Sequence, residues 1–300
     1  MNVDAIMEKV RLVELRIRGL VNTSLAGGYQ SAFRGRGIDF DQVREYVAGD
    51  EVRTIDWNVT ARAGRPFVKQ YREERELTLM LLVDVSASGA FGSGAQQKRE
   101  LAAELACVLA LSATRNNDKV GVILFSDRIE AMIPPAKGRS HALRVVREIL
   151  GCEPAGRGTN IPQALELAAQ LNKHRAVVVL ISDLEVGPER ARGLAALEHA
   201  LLPLGAHHDT IALRVRDPHE RALPNIGLVA VEDAETGEVI QLDTGKKRVR
   251  EHFARLAAER TRELDKLLAR TNVDSIEIDT TRNYVPALLE LFGKRGRKGR

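Results

Sequence analysis

The sequence has little cysteine, two in 300 residues, and few aromatic side chains, at 4% with a single tryptophan. Cys107 lies in an apolar helical pattern and Cys152 just beyond another. With no C-x-x-C spacing they make neither a zinc nor a dithiol motif, so a reduced, intracellular compartment is expected. Long hydrophobic runs are also missing. The apolar stretches 79–83 and 176–181 fall far short of the roughly 20 residues that span a bilayer. Asp4, Glu8 and Glu14 interrupt the first apolar residues, unlike the continuous apolar segment of a secretory leader. A cytoplasmic protein with no membrane span is the expectation. Nor is there a strong charge of one sign. The net charge of +4 comes from 45 basic and 41 acidic residues, and Lys294, Arg295, Arg297, Lys298 and Arg300 crowd the last eight positions. Without those five the chain holds 40 basic against 41 acidic residues, which offers no basic globular surface for nucleic acid. The tail reads as a disordered solubility feature, and nucleic acid is not an expected partner.

What is present is enough chain for a real core: 44% hydrophobic and 29% charged residues exclude disordered and fibrous classes. Composition changes near residue 76. Residues 1–76 are rich in Gly, Arg and Asp; an amphipathic stretch over 5–20 gives way to short irregular pieces, an extension without a large core of its own. Arg44, Arg53 and Arg62 alternate there with Asp39, Asp41, Asp50 and Asp56, so ion pairs can order it, with Trp57 as an anchor. From residue 77, short apolar runs alternate with helical periods, the pattern of parallel strands joined by crossover helices. Strands are expected at 77–86, 120–126, 129–134, 176–183, 209–216 and 273–279. Helices are expected at 98–116, 140–150, from Pro162, 188–202, 247–270 and 284–292. Asp127 and Arg128 make a two-residue hairpin and one antiparallel edge, and a second hairpin turns about Glu235, Thr236 and Gly237. The expected organisation is an extension over 1–76, an α/β domain over 77–292 with a mostly parallel sheet and helices on both faces, and a basic tail over 293–300.

Three segments end in oxygen-bearing side chains where loops at the carboxyl ends of strands meet, the usual ligand crevice of such a sheet. Asp84, Ser86 and Ser88 leave the first strand as D-x-S-x-S; Thr159 sits in a glycine-rich loop before a helix; Asp183 ends the run AVVVLISD. Two carboxylates and three hydroxyls around one centre form a hard, all-oxygen set suited to Mg²⁺ or Mn²⁺. Two carboxylates merely balance the ion's charge, so it stays electrophilic and an acidic residue from a client protein can fill an open position. The alternative is that Ser86 and Ser88 cap the next helix and Asp183 another.

Asp84-Val85-Ser86-Ala87-Ser88, Thr159 and Asp183 resemble the metal-ion-dependent adhesion site of von Willebrand factor A domains, a Rossmann-like fold. A second resemblance spans both regimes. Gly35-Arg36-Gly37-Ile38-Asp39-Phe40, Arg44-Glu45-Tyr46, Gly49-Asp50, Arg53-Thr54-Ile55-Asp56-Trp57, Thr60-Ala61-Arg62 and Val68-Lys69 are similar to the signature of the bacterial domain-of-unknown-function family 58. That likeness implies a leader joined to a von Willebrand A-like domain. It also implies a MoxR-type AAA+ ATPase as partner, with the chain as adaptor or substrate-engaging subunit.

Other chemistries fit less well. No G-x-x-x-x-G-K-[ST] element exists, since Gly92 and Gly94 precede Lys98 at the wrong spacing, and 91–94 reads as a flexible rim. Ser86 is not in a G-x-S-x-G elbow. His207, His208 and Asp209 read as a solvated strand entrance, because neighbours on a strand face opposite ways. The strongest rival to a non-enzymatic interaction module is a metal-dependent phosphoesterase built on Asp84 and Asp183. Such a site would resemble that of haloacid-dehalogenase-like α/β phosphatases, a likeness that implies a second Asp two residues after the first, where Ser86 stands.

Overall fold

The computed structural model describes Tyr29, Ala32 and residues 39–72, 77–94, 96–187, 189–232, 234 and 237–298. The stretch 5–20, the Gly35-Arg36-Gly37-Ile38 part of the signature, the turn residues 235 and 236 and the last two residues lie outside these. The chain divides into two compact units, residues 34–77 and the remainder.

In the larger unit the strands form where apolar residues run continuously. β3 (Thr78–Asp84), β4 (Lys119–Phe125), β5 (Ile129–Ala136), β6 (Val177–Ser182), β7 (Asp209–Arg216) and β10 (Asp274–Asp279) make one sheet in the order β10-β7-β6-β3-β4-β5. Every pairing is parallel except β4 with β5, the edge hairpin expected at Asp127 and Arg128. Alternation divides the central strand between two layers. Met80 and Leu82 join Val178, Leu180 and Ala212 in a cluster with α4 (Ile161–Leu171), α5 (Arg190–His207) and α6 (Lys247–Arg270). Leu79, Leu81 and Val83, fully buried, point to the other face, where α2 (Lys98–Arg115) lies and packs on α3 (Arg139–Gly151). A sheet covered on both faces explains why its strands are apolar throughout. The chain leaves β3 toward β4 and later returns to β6 on the opposite side. The carboxyl ends of β3 and β6 therefore flank a topological switch point.

Two helices depart from expectation. α5 runs past Leu202 and through Pro203 to His207. Pro203 removes one backbone donor, but Leu197, Leu201 and Leu204 are fully buried on both sides of it and packing carries the helix on. The last helix, α7 (Val285–Lys298), continues into the basic segment. Over 293–298 the reading of that segment as disordered is corrected: these residues are helical, and Arg295 is largely buried and forms ion pairs with Asp209 and Asp274 at the amino ends of β7 and β10. The second hairpin is present, with β8 (Leu228–Glu232) antiparallel to β9 (Val239–Asp243).

The smaller unit is more regular than its composition implies. β1 (Asp39–Glu45) pairs antiparallel with β2 (Phe67–Arg72), and α1 (Trp57–Ala63) lies between them in sequence. Asp56 caps α1 by accepting from the Asn58 and Val59 N–H groups, and Gly64 ends it in the left-handed conformation at φ 71°. Arg44 clamps Asp50 through two 2.7 Å bonds, which with the Val47 N–H hold the Asp50 carboxyl down at about 2. Trp57 does not anchor this unit: its side chain is 67% exposed.

Candidate metal centre

Asp84 is the last residue of β3, and the chain turns there into the short 3-10 helix Ala87–Ala90. Its Oδ1 accepts from the Ser86 N–H at 3.0 Å, and its Oδ2 from the Ser182 hydroxyl at 2.6 Å. Ser182 ends β6, so the two strand ends are tied by a side-chain bond across the switch point. Ser86 Oγ and Ser88 Oγ lie 3.1 Å apart, and the Ser88 hydroxyl donates to Asp183 Oδ2 at 2.9 Å. Four of the five expected residues, Asp84, Ser86, Ser88 and Asp183, thus belong to one hydrogen-bonded cluster built from segments about a hundred residues apart. Ser86 and Ser88 make no cap bond in this turn.

The fifth expected residue, Thr159, is in a loop whose neighbouring residues are tied to the same turn. The Ala87 N–H donates to the Arg157 carbonyl at 3.0 Å, and the Asn160 N–H to the Ser126 carbonyl at 2.8 Å. Glu130 on β5 clamps this loop, accepting from Ser126 Oγ at 2.5 Å, the Gly156 N–H at 2.8 Å and the Ala155 N–H at 3.1 Å. Gly156 must be glycine for that close approach, since a Cβ there would sit 2.2 Å from Ser126 Oγ and Asp127 Oδ1.

The residue after Asp183 shows how its side chain is aimed. Leu184, buried, adopts φ 56°, the left-handed region that costs a residue with a Cβ about 1–2 kcal/mol. Its N–H bonds to Ser182 Oγ at 2.9 Å, and the Glu185 N–H to Asp183 Oδ1 at 3.1 Å.

Lys98, the first residue of α2, was not a candidate by sequence. Its side chain is only 4% exposed, and its ammonium donates to Asp183 Oδ2 at 2.7 Å and Glu220 Oε1 at 2.5 Å. Glu220 Oε2 accepts from the Asp217 N–H at 3.0 Å. Asp217, fully buried, holds the Ser93 N–H and hydroxyl at 2.8 and 2.6 Å and the Thr280 hydroxyl at 2.8 Å. These bonds correct the reading of 91–94 as a flexible rim: a carboxylate from the end of β7 grips it. Ser182 was also missed. Its place beside a strand-terminal Asp was a usable signal, whereas nothing marked Lys98, since lysine is expected in solvent.

Burial acts on all three charges with different outcomes. For Asp84, desolvation, with the charge of Asp183 adding to it, pushes the carboxyl up to about 6 against the bonds from Ser182 and Ser86. For Asp183, desolvation is outweighed by the Lys98 ammonium and then Arg216, and the carboxyl lies below its ordinary range. For Lys98, desolvation is outweighed by Asp183 and Glu220, and the ammonium is held above the usual lysine value. Elsewhere, His208 is a buried structural residue rather than part of a solvated entrance, its Nδ1 accepting from the Ala176 N–H at 3.2 Å.

Residues 42–263 match the family described as protein of unknown function DUF58. The chain belongs to this family. It is 29% identical over 291 residues to a Mycobacterium tuberculosis H37Rv protein named "Uncharacterized protein Rv1480", covering 96% of this chain and 89% of that one. It is 27% identical over 169 residues to "Uncharacterized protein MAV169" of Mycobacterium avium, covering 56% and 95%. Among solved structures it is similar to the conserved hypothetical protein BatB from Bacteroides thetaiotaomicron (TM-score 0.47, 19% identity, 74% of this chain and 99% of that). A von Willebrand factor type A protein from Catenulispora acidiphila gives TM-score 0.42 at 14% identity, over 77% and 44%. The α/β class expected from the sequence, with a mostly parallel sheet and helices on both faces, stands on the strand order itself. Among the described residues no helix is long and apolar enough to cross a membrane.

Proposed function

We propose that this DUF58 chain is a non-enzymatic, divalent-metal-dependent protein-interaction module, working in the cytoplasm with a MoxR-type AAA+ ATPase in the assembly or remodelling of other proteins. The observation that carries the reading is the 3.1 Å separation of the Ser86 and Ser88 hydroxyl oxygens beside Asp84. Mg²⁺ takes octahedral oxygen ligands at 2.0–2.1 Å, so neighbouring ligands stand roughly 3 Å apart, and the hydroxyl pair fits one edge of that figure. Asp84 retains acceptor capacity, because its two oxygens offer about four lone-pair sites to three donors, the Ser182 hydroxyl and the Ser86 N–H and hydroxyl. Asp183 already accepts from Ser88, Lys98 and the Glu185 N–H, which suits a carboxylate acting outside the ligand shell. Asp84, Ser86 and Ser88 would hold Mg²⁺ or Mn²⁺ directly, with Thr159 on the neighbouring loop. A bound ion would supply a Lewis-acidic position for an acidic oxygen of a client protein.

The residues favour binding over phosphoester cleavage. No second carboxylate stands two residues after Asp84. The test is capture of the purified MoxR-type ATPase and of an acidic client by the intact chain in Mg²⁺ and in EDTA, with Asp84→Ala alongside. Capture in Mg²⁺ alone, lost in the folded variant, is expected. Capture indifferent to both overturns the reading, and metal-dependent phosphatase turnover lost in the variant would replace it with the enzyme.

A further inference from the structure

Lys98 contradicts two ordinary preferences at once. It opens an 18-residue helix, where the dipole disfavours a cation, and it is buried although ammonium groups seek water. Such a group persists only where fixed negative charge surrounds it. Four carboxylates, Asp84, Asp183, Glu185 and Glu220, meet two cations here, Lys98 and Arg216, the latter bonded to Glu185 at 2.7 Å. With Lys98 in place, one unbroken chain of bonds runs from Ser86 through Ser88, Asp183, Lys98, Glu220 and Asp217 to Ser93. The loops after β3, β6 and β7 are therefore joined without any ion between them.

We propose that Lys98 is the resident counter-cation of the candidate metal centre: it neutralises Asp183, keeps the loops assembled when no divalent ion is bound, and thereby holds the ion loosely enough to exchange as partners come and go. This rests on the metal reading above and assigns a positioning role to a residue that touches neither ion nor client. A centre without such a group leaves a buried carboxylate uncompensated until a metal binds, at a cost to the stability of the empty protein. One with it separates folding from metal occupancy, so that the ion's binding energy is free to couple to partner capture.

The test compares the intact chain with Lys98→Met and with Lys98→Met/Asp183→Asn. Mn²⁺ binding is followed by the loss of the free-ion electron paramagnetic resonance signal, and unfolding temperature is read in EDTA and in millimolar Mg²⁺. The parent should bind Mn²⁺ weakly and melt at nearly the same temperature in both buffers. Lys98→Met, with one cation fewer among the same carboxylates, should bind Mn²⁺ at least about tenfold more tightly. It should melt far lower in EDTA and recover most of the loss in Mg²⁺. The double variant, which removes one charge of each sign, should melt near the parent in EDTA and show none of the gained affinity. The proposal is overturned if Lys98→Met binds Mn²⁺ no more tightly than a parent that does bind it. It is also overturned if Lys98→Met stays unfolded in Mg²⁺, or if the double variant is as unstable as the single one, since then the lysine serves packing alone. If neither parent nor Lys98→Met takes up Mn²⁺, the metal reading itself fails.

Discussion

Between residues 34 and 77 only Val68 joins the buried apolar residues among the described side chains, whereas β3, beginning one residue later, buries everything from 79 to 84. The smaller unit is held by polar geometry: a bidentate Arg44–Asp50 clamp, an Asp56 cap, and Thr60 Oγ1 accepting from the Phe67 N–H at 3.0 Å. The larger is held by apolar volume between two helical layers. Structure built on a few oriented bonds yields to single polar changes, to acid and to salt, while a packed sheet yields chiefly to lost volume. The candidate metal centre, within the larger unit, combines the two strategies: a polar network whose members are positioned by apolar strands.

Changes in the two units should separate these modes of stabilisation. The largest effect is expected from Leu82→Ala, fully buried in β3, which should cost about 3 kcal/mol of global stability in urea unfolding. A loss below about 1 kcal/mol would mean that the sheet does not rest on this strand. Next is Glu130→Ala, which frees Ser126 and the two N–H groups of the Thr159 loop. We expect about 1–2 kcal/mol of destabilisation and roughly tenfold weaker Mn²⁺ binding, with faster amide exchange over 152–160. Unchanged exchange there would detach the loop from its clamp. Smaller again is Asp56→Ala, where loss of the cap should weaken α1 by about 1 kcal/mol. That change should appear as faster exchange within 57–63 while the urea midpoint of the sheet stays put.

The smallest effect should come from acid. Asp50 has its pKa lowered in the fold from 3.8 to about 2, so its contribution is fully present above pH 3.8 and is lost as pH falls through about 2. Proteolytic nicking of residues 39–72 by an acid protease should therefore rise toward pH 2, and should rise at pH 4 only in Asp50→Asn. Equal nicking of parent and variant at pH 4 would show that the clamp does not order this unit.

The architecture was legible because its strands are continuous apolar runs, and the edge hairpin because Asp127-Arg128 carries turn chemistry between two of them. The oxygen cluster was legible because D-x-S-x-S and a strand-terminal Asp are local patterns that β3 and β6 then bring together. What escaped was decided by tertiary context. Lys98 reads as a solvated helix residue until Asp183 and Glu220 arrive from 85 and 122 residues away. Arg295 reads as tail until Asp209 and Asp274 are beside it. Trp57 reads as an anchor because size implies burial, yet it is 67% exposed, and among the described side chains of its unit only Val68 is a buried apolar residue.

Crystals of the intact chain soaked in Mn²⁺ would test the metal centre most directly, through the ion's anomalous scattering. One peak is expected about 2.1–2.2 Å from both the Ser86 and Ser88 hydroxyl oxygens, beside Asp84, with Asp183 outside bonding distance and still on Lys98. A peak elsewhere, or none at a concentration that saturates Mn²⁺ binding in solution, would contradict the assignment.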